Sequence, residues 1–101
     1  MKIIIKNQSG KKTTAAEFET QADAVAELRR IAGVDLNRDD GLDYARDNGV
    51  MLRLSTGELL TPHEVEAMDS VPETAFVFPA DFDRWDDRDN GVYWTIEDGN
   101  L

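Results

Sequence analysis

Carboxylates are the side chains numerous and closely spaced enough in this chain to do chemistry, and two stretches set them near the intervals of a calcium loop, D-x-[DN]-x-[DN]-G-x5-E. With Asp86 as the first position, Asn90 falls fifth, Gly91 sixth and Glu97 twelfth. Arg88 then occupies the third position, where a guanidinium offers no oxygen and brings positive charge to the cation. In the second stretch Asp35, Asn37 and Asp39 alternate correctly, but Gly41 comes one place late and Arg46 stands where a bidentate acid is needed. The ligand pattern therefore predicts no metal, and a calcium-stabilised domain is kept only as an alternative.

Acid–base and nucleophilic chemistry have less to work with. His63 is the single histidine, next to Pro62 at a helix start, and there is no cysteine. A thiolate nucleophile and a cysteine-ligated zinc site are excluded together, and a triad or histidine metal site has no second member near His63. No glycine-rich phosphate loop is present, and paired carboxylates need a deep cleft between them to cleave a glycoside. The expectation is a protein without enzymatic activity or cofactor.

The carboxylates can also act as an array. From Pro79 to Asn90 the chain holds Asp81, Asp83, Asp86, Asp87 and Asp89, interleaved with Phe82, Trp85, Arg84 and Arg88. B-DNA carries one charge per roughly 3.4 Å of each strand, and side chains two apart on an extended strand sit about 6.6–6.8 Å apart, so an extended Asp81–Asp83 pair approaches a phosphate spacing. Glu97 and Asp98 lie just past the following strand, and Asp39, Asp40, Asp43 and Asp47 make a second cluster. Phe82 and Trp85 are three apart. That spacing pins one helical turn onto a sheet, or, if Trp85 points outward, gives it the role of an interface anchor.

The elements that must position these residues are legible from periodicity and turn chemistry. Ile3–Ile5 is a β-branched strand, Asn7–Gly10 a turn, and Lys11–Phe18 its return, with a helix starting near Ala15 as the competing reading. Ala24, Val25, Leu28, Ile31 and Ala32 fall on one helical face, with Thr20 and Asp23 at the start and Gly33 as a left-handed stop. A short helix capped by Asp39 or Asp40 turns Leu42 and Ala45 inward and ends at Asn48–Gly49. Val50–Leu54 is a strand with a minor return at Glu58–Leu60. Thr61-Pro62-His63-Glu64 starts a third helix with Val65 and Met68 inward. Thr74–Phe78 and Val92–Ile96 are strands on either side of an acidic loop, 79–90, and the end from Asp98 is loose. The reading is α+β: a small, mostly antiparallel sheet of about five strands, one main amphipathic helix and two short ones.

A length of 101 residues predicts a single domain over the whole chain, with roughly two-thirds of its surface buried on folding. The net charge is −10 and is unevenly spread, because the four lysines all precede the first acid. Residues 13–101 carry 21 acids against seven arginines, a balance of −14. Direct nucleic-acid binding is therefore disfavoured and a basic partner surface favoured. No apolar run has the length of a signal peptide or membrane span, which predicts a cytoplasmic protein. A homodimer through a free sheet edge is open, although the lysines of the first hairpin protect such an edge equally well.

In size, charge and lack of catalytic motifs the chain resembles in character the phage- and plasmid-encoded DNA mimics that block restriction or CRISPR effectors. That likeness implies an inhibitor whose carboxylates occupy sites built for phosphates on a basic, nucleic-acid-binding protein. The alternative is a general interaction or assembly domain whose acidity serves only solubility.

Overall fold

A computed structural model describes residues 1–70 and 73–98. Its elements, in order, are β1 (Lys2–Asn7), β2 (Lys12–Glu17), α1 (Gln21–Leu36), α2 (Gly41–Asn48), β3 (Met51–Leu54), β4 (Leu59–Leu60), α3 (Pro62–Glu66), β5 (Thr74–Val77), β6 (Arg84–Asp87) and β7 (Val92–Glu97). The class is α+β, and every strand pair is antiparallel. The strands form two sheets rather than one, ordered β2-β1-β7-β6 and β4-β3-β5. The first pairs the chain's beginning with its end, with Ile3 opposite Ile96 and Ile5 opposite Trp94. The expected loose end from Asp98 lies, beyond that residue, outside the described residues.

Helix α1 packs on one face of the first sheet, and α2 lies against both α1 and β6. Between them Ile3, Leu28, Ala32, Leu36, Tyr44, Ala45, Val50, Phe82 and Trp85 form the larger core. Leu52, Leu60 and Val65 form a smaller one over the second sheet, and Phe76 packs against both. Two cores side by side give a long, flat molecule, 49 × 28 × 17 Å.

Local chemistry explains most boundaries. The Thr20 hydroxyl accepts from the Asp23 N–H at 3.1 Å, and Thr61 with Glu64 closes a reciprocal capping box. Gly49 ends α2 at φ 68°. Four expectations are corrected. Gly33 does not stop α1: the helix continues to Leu36, and the Asn37 side-chain amide donates to the Gly33 carbonyl at 2.8 Å. Burial of Leu36 on the extra turn, together with the Trp85 hydrogen bond to Asp35, outweighs the roughly 1 kcal/mol helix penalty of glycine. Asp40 occupies the cap position of α2 but makes no capping bond, its carboxylate turning to Arg38 instead. Met68 lies past the end of α3 and is exposed.

The fourth correction concerns the acidic loop. Residues 84–87 form β6, paired with β7 so that Trp85 lies opposite Trp94 and Asp87 opposite Val92. Alternation along β6 sends Trp85 and Asp87 into the core and Arg84 and Asp86 to the other face. The outer edge of β6 is closed by a side chain. Asn48 accepts from the Asp86 N–H at 2.7 Å and donates to the Asp86 carbonyl at 3.2 Å, imitating a neighbouring strand.

Candidate protein-binding face

Formation of β6 divides the expected binding residues. Trp85 is wholly buried, so the interface role does not apply to it: its ring stacks on Tyr44 at 5.9 Å and 3°, and its indole N–H donates to the Asp35 carboxylate at 2.8 Å. Asp87 is likewise inside and cannot reach a partner. It accepts from the Tyr44 hydroxyl at 3.0 Å and from the Asn90 amide at 2.9 Å, with the Trp94 indole N–H at 3.5 Å. A buried carboxylate is tolerated only when its lone pairs are occupied, and these donors occupy them. Burial raises the Tyr44 hydroxyl's pKa above its ordinary value, so it stays protonated and donating.

Asp35, which the sequence suggested only as a calcium ligand, is the other buried acid. Burial pushes its pKa up, while the Trp85 hydrogen bond pulls the other way. Tyr44 was not expected in the core either. A signal was available for Asp35: it and Leu36 fall three and four places after Ala32, which continues the inner face of the helix past Gly33.

The remaining aspartates of residues 35–47 and 86–89, far apart in sequence, converge where α2 crosses β6. Two arginines tie them together. The Arg38 guanidinium reaches Asp89 at 3.3 Å, Asp40 at 3.8 Å and Asp35 at 3.9 Å, joining the α1–α2 connection to the β6–β7 turn. Arg88 reaches Asp43 and Asp47, each at 3.6 Å, so the residue that spoils the calcium pattern instead spans one turn of α2. Arg46 pairs with Asp43 at 2.8 Å and Glu66 at 3.7 Å. These pairs are partly exposed and each contributes about 0–1 kcal/mol to stability. Their larger effect is to fix where the carboxylates point.

The two segments together hold eight aspartates and three arginines, a net of −5, half of the chain's −10. Asp39 is exposed and makes no ion pair within the described residues. Asp89 is held below the ordinary carboxylate range, first by a carboxyl hydrogen bond with Asp40 and then by its contact with Tyr44 and the guanidinia of Arg38 and Arg88. Asp86 is pushed up, first by burial and then by the Asp47 charge beside it.

Other expected members sit elsewhere. The extended Asp81–Asp83 row is replaced by a turn, in which the Phe82 N–H donates to the Pro79 carbonyl at 3.1 Å and Phe82 is buried. Asp81 and Asp83 are exposed on the rim of a depression of about 180 Å³ that Asn48 and Arg84 also line. That is smaller than the roughly 300 Å³ at which small-molecule pockets begin. Glu97 lies at the opposite end of β7 from the β6–β7 turn, about 17 Å away at strand rise, and pairs with Lys12 at 3.0 Å. Asp98 follows it and is exposed. Glu97 and Asp98 therefore do not join the aspartate face.

Among the described residues no group of three histidine, aspartate or glutamate side chains is placed to hold a metal ion. Nor is any helix there long and apolar enough to cross a membrane. No protein-family model matches the chain, and comparison with curated proteins and with solved structures returns no significant match.

Proposed function

We propose that this chain is a non-enzymatic, cytoplasmic binding protein whose arginine-braced aspartate face engages a basic, nucleic-acid-binding protein surface in the manner of a DNA mimic. The observation that carries the reading is the convergence of aspartates from residues 35–47 and 86–89, a net of −5, around Arg38 and Arg88. Bracing matters because a mimic must present its charges already ordered, without the entropic cost of fixing them on binding. Asp39, Asp43, Asp47 and Asp86 are the contact residues, while Arg38 and Arg88 hold their neighbours in place. Such a face speeds encounter with a basic partner and makes affinity fall steeply with salt.

The test is competition. A restriction or RNA-guided effector is incubated with the chain and then challenged with labelled duplex DNA at low salt. Reduced DNA binding is expected, and it is lost in the triple variant Asp39→Lys, Asp47→Lys, Asp86→Lys. A control with the same charge change on other faces, Glu19→Lys, Asp23→Lys, Glu58→Lys, keeps it. Equal behaviour of the two triple variants would sink the reading.

A second reading, an interaction domain working through its smaller sheet, has one observation in its favour. Register places Met51, Arg53, Leu59, Ala75 and Val77 on the face turned away from the small core, with Leu59 45% exposed. Among the described residues strand β5 pairs only with β3, leaving its other edge open there.

A further inference from the structure

The larger sheet has a second face that no helix covers among the described residues. The strand registers place three rows on it: Glu17, Lys2 and Glu97; then Thr14, Ile4, Thr95 and Arg84; then Lys12, Lys6, Tyr93 and Asp86. Ion pairs neutralise its far end, where Lys2 reaches Glu17 at 3.4 Å and Lys12 extends from the third row across β1 to Glu97 at 3.0 Å. At the near end Lys6 and Arg84 make no ion pair within the described residues. Both line a depression of about 370 Å³, with Asn7, Gln8, Tyr93 and Thr95.

The composition of that depression is unusual for this chain. Acids outnumber bases 21 to 11, and among the described residues six of the bases are ion-paired, yet two bases with no ion pair there share a depression lined by no carboxylate. They also converge on one ring. Lys6 stands directly opposite Tyr93 in the β1–β7 pairing, and the Arg84 guanidinium lies over the Tyr93 ring at 5.5 Å. Tyr93 is 40% exposed. Asp86, two residues beyond Arg84 on the same face, is the acid nearest by register and does not line the depression.

We propose that this depression is a binding site for a small anion bearing a flat ring. Its phosphate or carboxylate group is held between the Lys6 ammonium and the Arg84 guanidinium, and its ring lies against Tyr93. Charge-assisted hydrogen bonds to the anion supply orientation, the aromatic surface supplies dry contact, and the volume falls within the roughly 300–1,000 Å³ of small-ligand sites. The chain's overall negative charge weakens this little at physiological salt, where fields decay over about 8 Å. The site adjoins the aspartate face at Asp86 but is lined by none of its residues, and it does not depend on that face's function.

The test uses the whole chain, with phenyl phosphate, benzoate and inorganic phosphate as probes and two-dimensional NMR as the readout. Phenyl phosphate or benzoate is expected to shift Lys6, Arg84 and Tyr93 resonances at millimolar concentration, the better of the two naming the head group. Each binds about tenfold more tightly than inorganic phosphate, and Lys6→Gln or Arg84→Gln weakens either by about tenfold, the loss of one hydrogen bond to a charged group. Lys11→Gln, outside the depression, leaves binding unchanged. Thermal melts of all three variants match the parent, because the replaced side chains lie on the surface. Shifts that cluster elsewhere, inorganic phosphate binding as tightly as phenyl phosphate, or binding of only a single-stranded oligonucleotide or an acidic peptide would each overturn the proposal.

Discussion

Replacing Trp85 with phenylalanine tests the core that positions the aspartate face. Phenylalanine keeps most of the ring contact with Tyr44, Phe78 and Phe82 but removes the indole N–H that donates to Asp35 at 2.8 Å. A hydrogen bond to a charged group contributes about 1.5–3 kcal/mol. The missing part of the indole leaves a cavity in a site with no exposure, worth about 1–2 kcal/mol more. The expected loss is about 2.5–5 kcal/mol, a large share of the roughly 5–15 kcal/mol that holds a small domain folded. Urea unfolding followed by far-UV circular dichroism measures it, since tryptophan fluorescence is itself altered. A double-mutant cycle with Asp35→Ala separates the hydrogen bond from the cavity and should give a coupling above about 1.5 kcal/mol. The cost should also shrink on acidification, because a protonated Asp35 is a weaker acceptor. A total loss below about 1 kcal/mol, or a coupling below about 0.5 kcal/mol, would refute the Asp35–Trp85 bond as a support of the fold.

Three further outcomes are expected. Asn48→Ala removes two bonds to the Asp86 backbone and one to the Tyr44 carbonyl, so stability should drop by about 2–3 kcal/mol by thermal melt and the bared β6 edge should promote association in light scattering. The glycines should diverge: Gly33→Ala, which meets open space within a helix, should gain about 0.5–1 kcal/mol, whereas Gly41→Ala drives its Cβ to 2.0 Å from the Leu36 carbonyl oxygen and should unfold the α1–α2 connection, as hydrogen exchange would report. The pKa values of Asp35 and Asp86 are raised in the folded state, so their stabilising contribution is present in full below the ordinary value of 3.8 and is lost as pH rises through the raised values. Asp35→Asn with Asp86→Asn should therefore flatten the fall in stability across that window in pH-dependent urea titrations; an unchanged slope would contradict the assignment.

Much of the architecture was legible because it is written in local chemistry. The Thr20 cap, the Thr61–Glu64 box, the αL glycine at position 49 and the alternation of Val92, Trp94 and Ile96 each follow from what neighbouring residues do to one another. The aspartate clusters at 39–47 and 86–89 were also visible as composition. Whether they lay near each other was not, because adjacency across more than forty residues is a matter of packing.

Residue type and short-range spacing were enough for the α+β class, the helix starts, the uneven charge and the absence of cysteine chemistry. That residues 84–87 are a strand follows from long-range packing, because Arg-Trp-Asp-Asp has no strand-like composition and is held by β7 on one side and Asn48 on the other. Once that strand exists, its alternation sends Trp85 and Asp87 inward and turns Arg84 and Asp86 to the open face. The same pairing brings Arg88 to Asp43 and Asp47, and Arg38 to Asp89. A run that reads as a uniformly solvated acidic loop thus becomes part core, part braced surface, because strand geometry assigns neighbouring side chains to opposite faces.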